Sequence, residues 1–467
     1  MPQFHIINFG CRATQADGGE IEREMLARSY EKAASIAGAQ IVILNTCTVT
    51  ASADRDARQT IRRVQRQNPD AKIVVTGCYA QRAPEEIRHL PGVYYVVGNS
   101  HKHRLAGIID RETSPGTQRA GEECLAEAHQ SPLASSCTAE VYIDQFTRLE
   151  RPPFPGRAFF AATDRTRPSL KIQDGCDANC SFCIIPAVRG RSRSLLPDEV
   201  LKQVEALVAA GYRELVLSGI HLGSYGRDLS DRTSLLRLME ALETVEGVCR
   251  LRLSSIEPLE VRKAVVEHVA HSRVFAKHFH VPLQSGVDRI LRLMRRPYTA
   301  DQYAQVAHFI RQEIPDAAIG ADVITGFPGE TEEEHRATVE FIEQAPLTYL
   351  HVFSFSPRPS TPAAEMRGEV SPQVIKRRSA ELRDLGKRKK LKFQQQMVGK
   401  VLSVVTLDRG GSDFTESMSD NFLEVNVLGQ AIEPNQIADV NIEGILQGVL
   451  TGGRVEHKRQ HSTRGHP

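Results

Sequence analysis

Between residues 176 and 183 the chain reads Cys-Asp-Ala-Asn-Cys-Ser-Phe-Cys, three cysteines spaced C-x3-C-x2-C with an aromatic residue just before the last. Three thiolates can bind only three corners of a cubane 4Fe-4S cluster, so one iron is left open to a small chelating ligand. A zinc site needs a fourth Cys or His close by, and the nearest downstream His is the distant His221. That open corner is where chemistry can happen.

At 467 residues the chain exceeds one ordinary core, so two or three domains are expected. Its nine cysteines, spread over such a length, favour ligands or reduced thiols over a disulfide framework. No apolar run approaches the ~20 residues needed to span a bilayer, and the N-terminus MPQFHIINFG has no charged segment before an apolar one. A cytoplasmic protein with no membrane partner is the expectation.

Residues 1–110 alternate short apolar runs (5–9, 40–44, 72–76 and 94–97) with helical stretches, the pattern of a doubly wound parallel sheet covered on both faces. Residues 51–67 place Ala53, Ala57, Ile61 and Val64 at helical spacing, with arginines on the other face. Residues 30–38 make a poor strand, so an element there is short or absent. Cys11, Cys47 and Cys78 each lie just beyond the carboxyl end of a predicted strand, and in an open parallel sheet those ends share one edge. Isolated cysteines are usually buried small hydrophobes. Three placed on the functional edge read better as a second three-cysteine Fe-S site.

Residues 111–165 turn to Ser, Pro, Gly and charge and read as a linker, with one strand at 140–146; Cys124 and Cys137 lie here and bind nothing. Residues 166–386 hold six strand candidates (170–173, 214–218, 250–254, 278–281, 318–323 and 349–353) alternating with helices. Six βα units suggest a partial TIM-like (β/α)6 barrel with its site at the carboxyl ends of the strands, and the cysteine loop follows the first. Cys249, opening the third strand, reads as plain core. Residues 387–454 are a basic lead-in followed by short strands (401–407, 422–427, 437–442 and 444–450), a small OB-like β-barrel, and the His- and Arg-rich tail 455–467 is expected to be disordered.

The net charge of +2 says little, but its distribution says more. Ten Lys or Arg fall between residues 376 and 400 against Glu381 and Asp384, Arg55, Arg58, Arg62, Arg63 and Arg66 share a helix, and Arg189, Arg191 and Arg193 follow the cysteine loop. Each alone reads as a solvated face; together they favour a polyanionic substrate.

With the strand at 170–173 before it, the cysteine loop resembles that of the radical S-adenosylmethionine (SAM) superfamily. Longer strings extend the likeness along nearly the whole chain: Asn45-Thr-Cys-Thr-Val-Thr50, Val75-Thr-Gly-Cys-Tyr-Ala-Gln81, Lys171-Ile-Gln-Asp-Gly-Cys176, Arg189-Gly-Arg-Ser-Arg193, His280-Val-Pro-Leu-Gln-Ser-Gly286 and Asp322-Val-Ile-Thr-Gly-Phe-Pro-Gly-Glu330. In these and in domain order the chain resembles the radical SAM methylthiotransferases, which carry an auxiliary-cluster domain, a radical SAM domain and a TRAM domain. Residues 173–176 and 218–223 look like the branch acting on N6-threonylcarbamoyladenosine in tRNA. Cys11 is followed by Arg12-Ala-Thr-Gln15, where relatives commonly have Asn in place of Thr14.

The resemblance implies two 4Fe-4S clusters, one on Cys176, Cys180 and Cys183 and one on Cys11, Cys47 and Cys78. One SAM would be cleaved to abstract hydrogen from adenine C2, sulfur would come from the auxiliary site, and a second SAM would supply the methyl group. The implied target is the adenosine immediately 3′ of the anticodon, held by its stem-loop, with an electron donor and a sulfur donor as further partners. Gly219, Ser255, Glu257, Gln284 and Asp322, at or beyond strand ends, are candidates to contact SAM, although capping and loop hydrogen bonds explain such residues equally well. The loop 326–330 would cradle adenine, and His278 and His280 read as packed or supporting side chains. The alternatives are the same chemistry on isopentenyladenosine or on a ribosomal protein, and a non-catalytic Fe-S RNA-binding protein.

Overall fold

The computed structural model describes residues 1–113, 139–146, 166–231, 233–411, 413–429 and 431–455. At the N-terminus β1 (Gln3–Asn8), β2 (Glu31–Lys32), β3 (Ile41–Thr46), β4 (Lys72–Gly77), β5 (Val93–Gly98) and β6 (Glu140–Tyr142) form a parallel sheet in the order β2-β1-β3-β4-β5-β6. Period-two alternation on β3 explains the two covering layers. Val42 and Leu44 pack with Ala57, Ile61 and Val64 of the helix Ala51–Gln67, whereas Ile41 and Ile43 face Ile21 and Met25 of the helix Arg12–Ala27. Thr50 starts the first of these helices by accepting a hydrogen bond from the Ala53 amide, 3.2 Å away.

The weak sequence at 30–38 yields only the two-residue β2 and a 3-10 turn, Ile36–Gly38. The strand anticipated at 140–146 is the three-residue β6, which pairs with β5 and so joins the N-terminal sheet. The helix Leu105–Thr113 runs through residue 110, where the sequence placed a boundary. Cys124, Cys137, the rest of the linker and the tail after Val455 lie outside the described residues.

All six anticipated barrel strands are present: β7 (Ser169–Asp174), then, after the short antiparallel β8 (Arg193–Ser194), β9 (Glu214–Gly219), β10 (Arg250–Leu253), β11 (His278–His280), β12 (Ala318–Thr325) and β13 (Tyr349–Ser354). Two parallel groups, β10-β9-β7 and β11-β12-β13, are joined by isolated bridges Leu251↔Phe275 and Ser255↔His280. Helices cover the outside; Val200, Val204 and Leu207 of Pro197–Ala209 pack against Leu215 and Leu217 in the largest core. The arrangement is a partial barrel. Cys249 is half-buried beside Arg213 rather than core, because it stands one residue before β10 begins.

The basic stretch forms one helix, Pro372–Met397, which continues unbroken past residue 386 and packs on β13. After it β14 (Val401–Gly410), β15 (Phe414–Ser419), β16 (Glu424–Leu428), β17 (Ile437–Leu446) and β18 (Val449–Arg454) close a barrel in the order β14-β15-β16-β18-β17. Two expectations change here. The segments 437–442 and 444–450 are not separate strands: β17 runs through a register shift between Ile442 and Gly444, and the chain turns at Gln447-Gly448, both at positive φ. β15 was not anticipated at all.

A charged joint fixes this small barrel to the larger one. Glu214 of β9 accepts hydrogen bonds from Arg252 (Nε, 2.8 Å), Arg250 (3.4 Å) and Arg167 (3.4 Å). Arg252 in turn donates to the Ser419 and Asp420 carbonyls, both at 2.9 Å, and stacks over Phe422, on which His278 also lies at 4.3 Å between ring centroids. Truncating Arg252 removes a buried cation from both sides of the joint. R252A is expected to lower the unfolding free energy by about 3 kcal/mol, read as a shift in the denaturant midpoint.

Candidate active site

The loop after β7 is turned by Gly175 at φ +70°, where an added Cβ would fall 2.0 Å from the Arg191 carbonyl oxygen. Only glycine fits between two backbones at that distance and that φ. G175A is therefore expected to displace the loop, costing about 2 kcal/mol or more of stability and lowering the iron retained per chain after reconstitution. Beyond the turn, Cys176 Sγ lies 3.5 Å from His221 Nδ1, and His221 Nε2 lies 3.0 Å from Glu260. Against the cost of burial, the Cys176 and Glu260 hydrogen bonds lift the His221 pKa to about 10. Cys180 Sγ accepts a hydrogen bond from Arg296 Nη1 at 3.1 Å, and the same guanidinium is paired with Glu257. Burial, then Cys180, pushes the Cys183 thiol up to about 12.

The second trio is built in the same way on the N-terminal sheet. Cys11 caps the helix Arg12–Ala27, with Thr14 Oγ1 at 3.5 Å from its sulfur; Cys47 follows β3; and Cys78 opens the short helix Cys78–Arg82 after Gly77 at φ +97°. Gly10 brings the first two together, since a Cβ there would lie 2.8 Å from Cys47 Sγ. Burial, then Cys78 and Cys11, raises the Cys47 pKa to about 12. The three strand ends thus converge as the topology required.

The two trios share a wall. Cys78 packs against Ile184 and Val188, the residues that follow Cys183, and Asn99 donates to both Cys78 Sγ (3.4 Å) and the Val188 carbonyl (2.8 Å). Beside this contact lies a buried ion network. Asp17 pairs with Lys102 (2.8 Å), Arg189 (2.9 Å) and Lys171, and Asp174 pairs with Arg189 (2.9 Å), Arg193 (3.1 Å) and Lys171 (3.2 Å). Burial pushes both carboxyls up, but the surrounding cations outweigh it and hold both below the usual carboxylate range. The reading of Arg189, Arg191 and Arg193 as one basic face is corrected accordingly. Arg189 and Arg193 are buried in this network, and of the three only Arg191 has an exposed side chain, 41% accessible.

Of the residues expected to contact SAM, Gly219 ends β9 with Gln173 packed on it, an added Cβ meeting Gln173 Oε1 at 3.0 Å. Ser255 is exposed and bridges to His280. Glu257 is held by Arg296 beside Cys180. Gln284 sits at φ +69°, a strained backbone for a non-glycine residue, paired through its main chain with Asp322 and Val323. Asp322 accepts from His280 (2.9 Å) and stands 3.3 Å from His351, while Tyr349 hydroxyl lies 2.8 Å from His278 and 3.0 Å from His280. His278 and His280 are buried side chains, hydrogen-bonded to Tyr349, with His278 stacked on Phe422. The loop 326–330 leads into the helix Glu332–Gln344, whose Thr331/Glu334 capping box fixes its entry.

Sequence reasoning missed Arg296, Asn99, Tyr349 and the Asp17 network, all contributed from remote segments. It also passed over Arg12, whose guanidinium is drawn down to a pKa of about 10 by burial and then by Arg167 and Arg252. The donor sets themselves are informative about what they could hold. Each trio offers three sulfurs, Cys47 and Cys78 buried with Cys11 exposed at the edge of one and all three half-buried in the other, and Arg296 and His221 are placed to contact the sulfurs of Cys180 and Cys176. Three soft donors per site fit an iron-sulfur cluster with one open iron.

Residues 3–98 match uncharacterized protein family UPF0004, and residues 170–342 match the Radical SAM superfamily. Barrel, cysteine loop and sequence together define a radical SAM enzyme that carries a second cysteine-bearing α/β domain ahead of its barrel. The chain is 37% identical to the threonylcarbamoyladenosine tRNA methylthiotransferase MtaB of Bacillus subtilis (strain 168), over 98% of each chain. It is 34% identical to the MtaB of Aquifex aeolicus (strain VF5), over 90% of this chain and 95% of that one. To the tRNA-2-methylthio-N(6)-dimethylallyladenosine synthase of Acidothermus cellulolyticus it is 32% identical, over 89% and 79%. It belongs to the radical SAM methylthiotransferase family. In fold alone it also resembles the radical S-adenosylmethionine methyltransferase TsrM from Kitasatospora setae, with a TM-score of 0.54 at 17% identity over 78% of this chain and 77% of that one.

Proposed function

We propose that this chain converts N6-threonylcarbamoyladenosine to its 2-methylthio derivative in tRNA, at the adenosine immediately 3′ of the anticodon. The observation that carries the reading is the shared wall: Cys78 of one trio packs on Ile184 and Val188, next to Cys183 of the other. Cys176, Cys180 and Cys183 would hold the cluster that receives SAM, and Cys11, Cys47 and Cys78 the auxiliary one. When bound, these clusters supply the electron that cleaves SAM and a place for the sulfur to be inserted.

The chain's own residues position and insulate that chemistry. Arg296 and His221 hold the sulfurs of Cys180 and Cys176 in charge-assisted contacts. Gly219, Ser255, Glu257, Gln284 and Asp322 are the proposed SAM contacts, with Gly219 giving close backbone approach and Asp322 fixed by His280. Ile184, Val188 and Cys78 exclude water between the trios. An adenine C2–H is too weakly activated for an ordinary acid or base, which is why a radical route suits this cavity.

For RNA, the exposed cations of the helix Pro372–Met397 (Lys376, Arg377, Arg383, Lys387, Arg388 and Lys392) and the C-terminal barrel beside it, a TRAM domain in this reading, would bind phosphates of the anticodon stem-loop. Arg378 is excluded from that role, being buried against Glu330 at 2.7 Å. Among the described residues no helix is long and apolar enough to cross a membrane. A cytoplasmic enzyme served by separate electron and sulfur donors completes the proposal. In cells lacking the gene, mass spectrometry of tRNA nucleosides should show threonylcarbamoyladenosine without its methylthio form, restored by the wild-type gene. An unchanged methylthio level would contradict the reading.

A further inference from the structure

The helix Ala51–Gln67 carries five arginines, and the fold uses one of them. Arg58 donates to the Tyr79 hydroxyl at 2.7 Å. Arg55, Arg62, Arg63 and Arg66 are exposed, and among the described residues their guanidiniums form neither a hydrogen bond nor an ion pair. With 3.6 residues per turn, Arg55, Arg62 and Arg66 fall within about 40° of one another around the helix axis, on the side away from the buried Asp54, Ala57, Ile61 and Val64. They make a straight track about 16 Å long, with Arg63 flanking it. Like charges at i, i+4, as in Arg58, Arg62 and Arg66, weaken a helix rather than support it. Asp54 offers no relief, being buried and held by Arg82 at 3.1 Å and Arg358 at 2.5 Å, so Asp56 is the one exposed acid on this helix.

The place of the track ties it to the site. Cys47 stands four residues before the helix begins. The Ala51 amide donates to the Ser356 hydroxyl at 3.0 Å, and Asp54 pairs with Arg358, so the first turn rests on the loop that follows β13. At the same strand end Ser379 of the helix Pro372–Met397 lies 3.2 Å from Ser354, the last residue of β13. Two basic helices, one from the N-terminal domain and one leading into the C-terminal barrel, therefore meet at the carboxyl end of β13, the end of the barrel on which the cysteine loop opens. Unpaired guanidiniums in a row suit a chain of phosphates, to which each can present its planar fork.

We propose that the face bearing Arg55, Arg62 and Arg66 is a second phosphate-binding surface, which grips the backbone of the anticodon stem-loop from the N-terminal domain while the helix Pro372–Met397 and the C-terminal barrel hold it elsewhere. The inference rests on the proposed tRNA substrate and adds where that RNA is held. Phosphate contacts fix register and orientation and carry no sequence information directly, so this surface orients the RNA and leaves recognition of the modified base to the cavity.

The test is the Kd of the reconstituted enzyme for an anticodon stem-loop RNA bearing threonylcarbamoyladenosine, read by fluorescence anisotropy over a range of salt. R55A/R62A/R66A should weaken binding about tenfold and lower the slope of log Kd against log salt by about 2, with KM rising alongside Kd and kcat unchanged. Alanine is the better helix former and the replaced side chains make no polar contact, so iron content and the denaturant midpoint should stay those of wild type. The control K202A/K263A/R273A removes the same charge from exposed positions on the outside of the barrel and should leave Kd within about twofold of wild type. Equal losses from the two triple variants, or a track variant whose Kd and salt slope match wild type, would overturn the assignment. A wild type that binds this RNA without modifying it sinks the threonylcarbamoyladenosine reading, and the surface is then still judged by Kd; a wild type that does not bind it overturns both.

Discussion

C176A should abolish both 5′-deoxyadenosine and methylthiolated product, each falling at least ~10³-fold, while C47A should keep 5′-deoxyadenosine formation and lose the product. The asymmetry follows from the division of the two trios. Cys176 lies in the loop after β7 whose Cys180 is joined through Arg296 to Glu257, the side on which SAM is proposed to bind, and Cys47 lies across the Cys78–Ile184 wall on the N-terminal sheet. Two sulfurs cannot hold a cubane cluster that three hold with one iron open, so each substitution should remove one cluster and spare the other. Iron analysis with Mössbauer spectroscopy, alongside chromatography of 5′-deoxyadenosine, reads both halves. Loss of 5′-deoxyadenosine in C47A equal to that in C176A would contradict the division.

The parts visible in the sequence were those written in local patterns. Apolar runs located β1, β3, β4, β5 and all six strands of the partial barrel, and strand ends brought Cys11, Cys47 and Cys78 to one edge. What stayed hidden depends on long-range meetings. Lys171 and Asp17 are 154 residues apart, and Arg296 and Cys180 are 116 apart, so no window of sequence joins them. Arg189 and Arg193 looked like a phosphate-binding face because charge is ordinarily exposed; two carboxylates from different domains make their burial possible. β15 was missed because its buried positions include Thr415, Ser417 and Ser419. Hydroxyls there are satisfied by the backbone, as in Ser417 Oγ donating to Val425 at 2.7 Å, so the strand lacks an apolar stripe.

The same buried network gives the second large effect. D17A leaves Lys102, Lys171 and Arg189 without their shared carboxylate between the N-terminal domain and the barrel. Removing one partner of a buried ion group costs about 3–5 kcal/mol, and the loss should appear as a lower denaturant midpoint. Asp17 and Asp174 have folded pKa values held below those of the unfolded chain, and so does Glu214 at about 2, where Arg252 and its neighbours outweigh burial. Depressed carboxyls stabilise the fold fully above the unfolded pKa, and that stability is lost as pH falls through the folded one. The contribution of these carboxylates should therefore be constant near neutrality and drop from about pH 5 downward, with a shallower acid-side drop in D17A. Parallel curves for the two proteins would show that Asp17 does not carry this dependence.

The central claim is that both cysteine trios act together on one modified base. Its most direct measurement is anaerobic reconstitution of the wild-type enzyme, addition of reductant, SAM and sulfide to tRNA bearing threonylcarbamoyladenosine, and mass spectrometry of the digested nucleosides. The account predicts 2-methylthio-N6-threonylcarbamoyladenosine together with 5′-deoxyadenosine. Formation of 5′-deoxyadenosine with the tRNA left unmodified, while isopentenyladenosine tRNA or a ribosomal protein is methylthiolated instead, would contradict it.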